Sequence, residues 1–447
     1  MVRRAAIYLL LLTAVVAHAG PVTASAVPTV AWPACVPFVA LLLMIALGPL
    51  LFGGWWSRHY PKVAVALAAV TLTHYLIGLR AVDRVLHTGA EYTSFVCLIG
   101  SLFVVSGGIH IEVRGESTPG RNVLFLLMAA LIANVLGTTG ASMLLIRPWI
   151  RMNQGRITAR HIVFFIFIVS NVGGGLTPIG DPPLFLGYLR GVPFWWVMQQ
   201  CWPMWLTALA MLLAIFYVLD RRDHLRARRL SPCPSPDTAA GWRLEGGVNL
   251  LFLGVILFAV FLPQPQFLRE GLMVAAAAGS WLATRPSIHH ANQFSFHPVK
   301  EVAILFLGLF ATMMPALDWL GAHAASLGAP TPGMFYWAAG SLSSVLDNAP
   351  TYLCFFEAAA SLHASGATDP ATLMALPEFT RLLSAVSVGA VFFGACTYIG
   401  NGPNFMVKAI AEQHGAPIPT FLGYVAGYTL PILLPVLTAV WWIFFRR

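Results

Sequence analysis

Long apolar stretches without Asp, Glu, Lys or Arg, separated by short charged segments, run the length of the chain. They include Ala5 to Ser57, Tyr92 to Ile111, Asn122 to Ile146, His161 to Gly180, Gly191 to Leu219, Trp319 to Leu346, Leu382 to Val407 and Gln413 to Phe445. A helix that crosses a bilayer needs about 20 mostly apolar residues. The pattern therefore predicts an all-α polytopic membrane protein, and no segment between the runs is long enough for a soluble domain. Two runs are interrupted. Asn122 to Ile146 contains Asn134 and Gly137-Thr138-Thr139-Gly140, and Trp319 to Leu346 leads through Asp347-Asn348-Ala349-Pro350 into a second apolar arm. Both predict re-entrant hairpins, near 122–150 and 333–363, because irregular backbone at membrane depth survives only where protein or a water-filled cavity covers it. The expected architecture is about ten transmembrane helices plus two hairpins.

Composition sharpens the class. The 447 residues carry 26 Lys+Arg and 17 Asp+Glu, so 10% are charged, hydrophobic residues are 58%, and mean hydropathy is +0.76. A soluble domain carries about 25% charged residues, and disorder needs low hydrophobicity. The net charge of +9 suggests nucleic-acid binding in a soluble protein, but in a membrane chain it reports basic residues retained on the cytoplasmic side. Arg3 and Arg4, an apolar core from Ile7 to Val16 and small residues up to Ala26 form a signal-peptide pattern for 1–26, with a first transmembrane helix as the other reading. If the mature chain starts outside, 17 basic residues fall in the cytoplasm and 7 outside. The six cysteines form no CxxC pair and read as apolar filler.

This path splits the chain into two halves of opposite orientation, 27–219 and 246–447, joined by a basic, proline-bearing cytoplasmic linker, 220–245. Inverted repeats of this kind mark secondary transporters. One repeat is visible in sequence. Thr177-Pro178-Ile179-Gly180-Asp181-Pro182-Pro183 lies 220 residues before Thr397-Tyr398-Ile399-Gly400-Asn401-Gly402-Pro403, and Phe185 and Phe405 keep the offset. Glycine and proline break a helix in each, which leaves carbonyls for cations and N–H groups for anions inside the protein. A proline kink with packing glycines is the structural alternative. Ionisable groups at membrane depth are costly and usually functional. Asp181 lies in the first break and Asp347 at the second tip, while Asn401 and Asn134 occupy the corresponding places in the other half. A carboxylate that binds either Na⁺ or a proton is the simplest basis for antiport. Asp181 as the N-cap of the following half-helix is the alternative. Glu357, Lys408 and Arg190 read as interfacial charges that snorkel. No nucleophile–base constellation and no phosphate loop is present, which speaks against an integral-membrane enzyme, and no cofactor is implied.

The segment Ser170-Asn171-Val172-Gly173-Gly174-Gly175-Leu176-Thr177-Pro178-Ile179-Gly180-Asp181 resembles the signature of the ion transporter superfamily. It is similar to NhaD-type Na⁺/H⁺ antiporters and to the CitMHS-like citrate transporter family. Leu346-Asp347-Asn348-Ala349-Pro350-Thr351 resembles the hairpin motif of the same group, and Tyr398-Ile399-Gly400-Asn401-Gly402-Pro403-Asn404 the CitMHS-like branch. The resemblance implies a multi-pass protein of the bacterial inner membrane, a homodimer and elevator-like alternating access. Its implied first-half site is Asn171, Thr177 and Asp181, and its second-half site Asp347, Asn348 and Asn401. With the break and tip residues, the candidate ion or substrate set is Asn134, Thr138, Ser170, Asn171, Thr177, Gly180, Asp181, Asp347, Asn348, Thr351, Thr397, Gly400, Asn401 and Asn404, with Asp181 and Asp347 for Na⁺. Pro182-Pro183 and Asn134 depart from the NhaD pattern. Na⁺/H⁺ antiport is the leading expectation, and symport of citrate or another carboxylate the alternative.

Overall fold

The computed structural model describes residues 30–114, 117–230, 241–262, 267–323, 330–363 and 370–446. The expected signal peptide, 1–26, and the middle of the linker, 231–240, lie outside the described residues. The protein is an all-α polytopic membrane protein. Eight helices are long and apolar enough to cross a bilayer, and two shorter apolar helical segments, Ala159–Gly174 and Asn249–Val260, accompany them. The chain forms two compact units, each drawing segments from both the first and the second half of the sequence.

The first unit contains α1 (Val36–Leu51), α2 (Gly53–Thr73), most of α3 (Val82–Gly107), α8 (Asn249–Val260) from its second residue, α9 (Leu268–Ala283) and α11 (His297–His323). Its helices approach closely where small residues meet. A side chain at Gly308 of α11 would come within 3.0 Å of Leu41 and Ala64. Phe95 and Phe306 stack at 4.6 Å between centroids. The charge at Asp318 was expected to end the run before Trp319, yet α11 continues through it to His323. The reason is neutralisation: Tyr75 donates to Asp318 Oδ2 (2.6 Å) and the Arg84 guanidinium to Oδ1 (3.0 Å). Glu270 is buried in the same way, between Ser94 (2.5 Å) and Arg269 (2.7 Å).

The second unit holds α10 (Pro286–Ala291), α14 (Pro370–Met374), α17 (Phe421–Tyr424) and the elements that follow. A small antiparallel ladder, unforeseen from the sequence, pairs β1 (His110–Arg114) with β2 (Gly241–Glu245) in the register His110↔Glu245 and Arg114↔Gly241. The expected linker is thus structured at both ends, because α7 (Trp196–Leu230) also runs eleven residues into it. That extension buries Asp220, which takes two 2.7 Å bonds from Arg156 and one of 2.9 Å from Asn122.

The broken helices form the rest. α4 (Pro119–Met152) starts at the Thr118 cap, whose hydroxyl accepts from the Arg121 amide. Its 34 residues would extend about 50 Å if straight, well beyond a bilayer core, but Gly137 breaks it at φ 75°, ψ 154°. Only glycine reaches that backbone region without penalty. α5 (Ala159–Ile168) stops before a 3₁₀ turn at Val172–Gly174, and α6 (Pro182–Leu189) resumes after the break. In the other half, α12 (Pro332–Ser343) and α13 (Asn348–His363) flank a short gap. α15 (Pro377–Phe393) is followed by a 3₁₀ turn at Gly394–Cys396 and α16 (Gly402–Gln413). The half-helices cross over between halves: α13 packs on α6, and α16 on α4. α18 (Leu434–Phe444) ends the unit.

Candidate functional site

The two glycine-proline breaks meet in the second unit. Gly174 and Gly180 approach so closely that a Cβ on Gly174 would lie 2.6 Å from the Gly180 carbonyl oxygen. Gly394 and Gly400, each 220 residues further on, repeat the contact, with a Gly400 Cβ 2.7 Å from the Gly394 carbonyl oxygen. Thr177 and Thr397 act alike. Each hydroxyl accepts from the amide of Gly180 or Gly400 and donates to a carbonyl at the tip of its own half, Asn134 (2.5 Å) or Ser344 (2.6 Å). Asn134 holds the first break further. Its amide donates to the Gly173 carbonyl (2.6 Å) and accepts from the Leu176 amide (2.9 Å). Asn134, Thr177 and Thr397 therefore hold the loops together, and Gly180 and Gly400 permit the close approach.

Asp181 sits at the centre, fully buried. Its Oδ1 accepts from the Thr138 hydroxyl (2.7 Å) and from Asn401 Nδ2 (3.2 Å), and its Oδ2 from Asn348 Nδ2 (2.6 Å). One carboxylate thus gathers the break of its own half, both tip regions and the break of the other half. It stands at the N-cap position of α6, as the alternative reading had it, but its side chain makes no capping bond there and turns to the other half instead. No Lys or Arg is paired with it among the described residues, and Asp347 is the other charged side chain within electrostatic reach. Around it runs a second ring of amides. Asn401 Nδ2 also reaches the Ser170 carbonyl (3.1 Å) and Asn171 Oδ1 (3.2 Å), Asn171 Nδ2 donates to Asn404 Oδ1 (2.7 Å), and Asn404 Nδ2 donates to the carbonyls of Gly394 and Thr397. Asn348 Oδ1, although buried, has no hydrogen-bond partner among the described residues.

Two expected site residues stand apart. Asp347 is half-buried, and its Oδ1 accepts from the Ala349 amide (3.1 Å), so it caps α13. Thr351 donates to the Asp347 carbonyl (3.0 Å). No group of three or more His, Cys, Asp or Glu side chains suited to a metal occurs among the described residues. Arg190 and Glu357, expected as separate snorkelling charges, pair at 3.2 Å between the end of α6 and α13. The sequence reading missed Ser142, whose hydroxyl meets that of Ser170 at 2.8 Å. Its place four residues after Thr138, on the same helix face, is the signal that could have found it.

The family described as "Putative citrate transport" matches residues 27–445. The uncharacterized transporter Rv2684 of Mycobacterium tuberculosis is 25% identical over 407 residues, covering 85% of this chain and 90% of its own. The inner membrane protein YbiR of Escherichia coli is 24% identical over 422 residues, covering 89% and 96%. The human P protein is 24% identical over 390 residues, covering 66% of this chain and 46% of its own. With relatives named as transporters and inner-membrane proteins, and eight helices able to cross a bilayer, this multi-pass protein of the bacterial inner-membrane type belongs to the CitMHS citrate transport family and is a transporter.

Proposed function

We propose that the chain is a secondary active Na⁺/H⁺ antiporter in which the two cations compete for Asp181. The observation that carries this reading is a fully buried carboxylate held by Thr138, Asn348 and Asn401 and paired with no basic side chain among the described residues. An ionised carboxylate buried without a counter-charge is expensive, so it carries a proton or a cation. A cation would find oxygen ligands at Asp181, Thr138, the Ser170 carbonyl and the unpartnered Asn348 Oδ1. Because one carboxylate cannot hold Na⁺ and H⁺ well together, binding of one releases the other. The coordinating residues all belong to one compact unit, which lets them change exposure as a body. Elevator-like alternating access, inverted repeats and a homodimer complete the proposal.

A carboxylate symporter is the second reading, and the citrate description of the family favours it. Helix N-termini attract anions. α6 begins with Pro182-Pro183, however, and so lacks the first two N–H donors. That leaves α16 and α13 as the anion-facing ends. Proteoliposomes with an internal pH dye separate the readings. Antiport expects an external Na⁺ or Li⁺ pulse to drive protons out and make the lumen alkaline, and Asp181→Asn to abolish the signal. Pulses that move no protons, with labelled citrate accumulating on a Na⁺ gradient, would replace antiport with symport.

A further inference from the structure

α7 (Trp196–Leu230) has two opposed faces. Trp205, Leu209, Phe216 and Asp220 are buried within the second unit, whereas Trp202, Leu206, Tyr217 and Val218 are 40–52% exposed. A continuous exposed apolar stripe on a helix of membrane length faces lipid. The stripe runs on into Arg221, Arg222, Leu225 and Arg226, all exposed. Arg221 follows Trp202 by 19 residues, a rise of about 29 Å, close to the thickness of a hydrocarbon core, about 30 Å. Tryptophan favours a membrane–water interface. With Trp202 at one edge of the bilayer, Arg221, Arg222 and Arg226 reach the headgroups at the other.

The charges at this end of α7 are sorted by face. Its two acids turn inward, where Asp220 accepts from Arg156 at 2.7 Å and Asp223 accepts from Arg160. The three arginines turn outward and have no side-chain hydrogen bond or ion pair among the described residues. Arg222 and Arg226 stand one turn apart, where like charges repel, so an anion between them is favoured. A guanidinium holds phosphate oxygens through two parallel N–H···O bonds. Leu225, 48% exposed among the arginines, suits an acyl chain rather than a soluble anion. We propose that Arg221, Arg222 and Arg226 bind the phosphate headgroup of an anionic phospholipid whose acyl chains lie along the stripe from Leu225 toward Leu206. α7 packs on α4 and α5, so a lipid held there braces the helices that carry Thr138 and lead to Ser170. The proposal is independent of what the protein transports.

Native mass spectrometry of the full-length protein, in detergent micelles with added lipid, tests it. The wild type is expected to retain phosphatidylglycerol at least tenfold better than zwitterionic phosphatidylcholine. The combined variant Arg221→Gln, Arg222→Gln and Arg226→Gln is expected to lose that preference with phosphatidylcholine binding unchanged. A control that removes the same charge from exposed positions elsewhere, Arg58→Gln, Lys62→Gln and Lys300→Gln, is expected to keep it. Equal retention of the two lipids by the wild type overturns the proposal, whether or not any variant folds. So does a wild-type preference in the α7 variant, or an equal loss in the control. Inorganic phosphate that displaces phosphatidylglycerol at equal concentration would replace the lipid with a free anion.

Discussion

Thr138→Val is the sharpest probe of the Asp181 site, because it removes one donor while keeping the shape of the side chain. Thr138 is wholly buried, and its hydroxyl donates to Asp181 Oδ1 at 2.7 Å. A hydrogen bond to a charged group contributes about 1.5–3 kcal/mol. That bond favours the ionised carboxylate, which is the form that binds Na⁺, over the protonated form. Its loss shifts the competition toward the proton, and apparent Na⁺ affinity at fixed pH should fall about 10- to 150-fold, since each 1.4 kcal/mol is tenfold. The maximal rate at saturating Na⁺ should change far less. Half-saturation measured by pH-dye fluorescence in proteoliposomes, over a series of external pH values, reads both quantities. Thr138→Ser should restore most of the affinity. A folded Thr138→Val protein whose Na⁺ half-saturation stays within twofold of wild type would show that this bond does not act on the bound cation, and the site would have to be redrawn.

Other expectations follow from the same contacts. Gly180→Ala and Gly400→Ala force a Cβ against backbone carbonyls, as the 2.7 Å approach at Gly400 shows, so both should lower the detergent melting temperature sharply; Gly402→Ala has open space and should match wild type in melting and transport. Arg84→Met leaves buried Asp318 with Tyr75 alone and should cost about 1.5–3 kcal/mol in denaturant or thermal unfolding, without altering Na⁺ half-saturation. Asp347→Asn keeps an oxygen for the Ala349 amide and should keep transport within about tenfold of wild type on the fold-change scale of Thr138→Val, whereas Asp181→Asn should abolish it. A transport loss in Asp347→Asn equal to that in Asp181→Asn would make Asp347 a true partner in cation binding.

The sequence by itself determined the class. Runs of 18 or more apolar residues have one stable environment, and backbone hydrogen bonding in lipid leaves them one conformation, the helix. It also determined where helices break, because glycines such as Gly137, and Gly180 and Gly400 with the prolines beside them, do not continue a helix without penalty. Asp181 stood out because a lone acid within such a break is rare. What remained hidden were contacts between residues far apart in the chain. Asp318 and Asp220 looked like boundaries in the sequence, since the pairing that makes their burial tolerable comes from Tyr75, Arg84 and Arg156, up to 243 residues away. Asp181 and Asp347 looked equivalent, each an acid at a helix break. Only the packing of α13 on α6 set their surroundings apart, turning Asn348 toward Asp181 and leaving Asp347 to its own helix end. A side chain's neighbours along the sequence set its local conformation, but its partners across the fold set its charge, and here those partners are drawn from both halves of the chain.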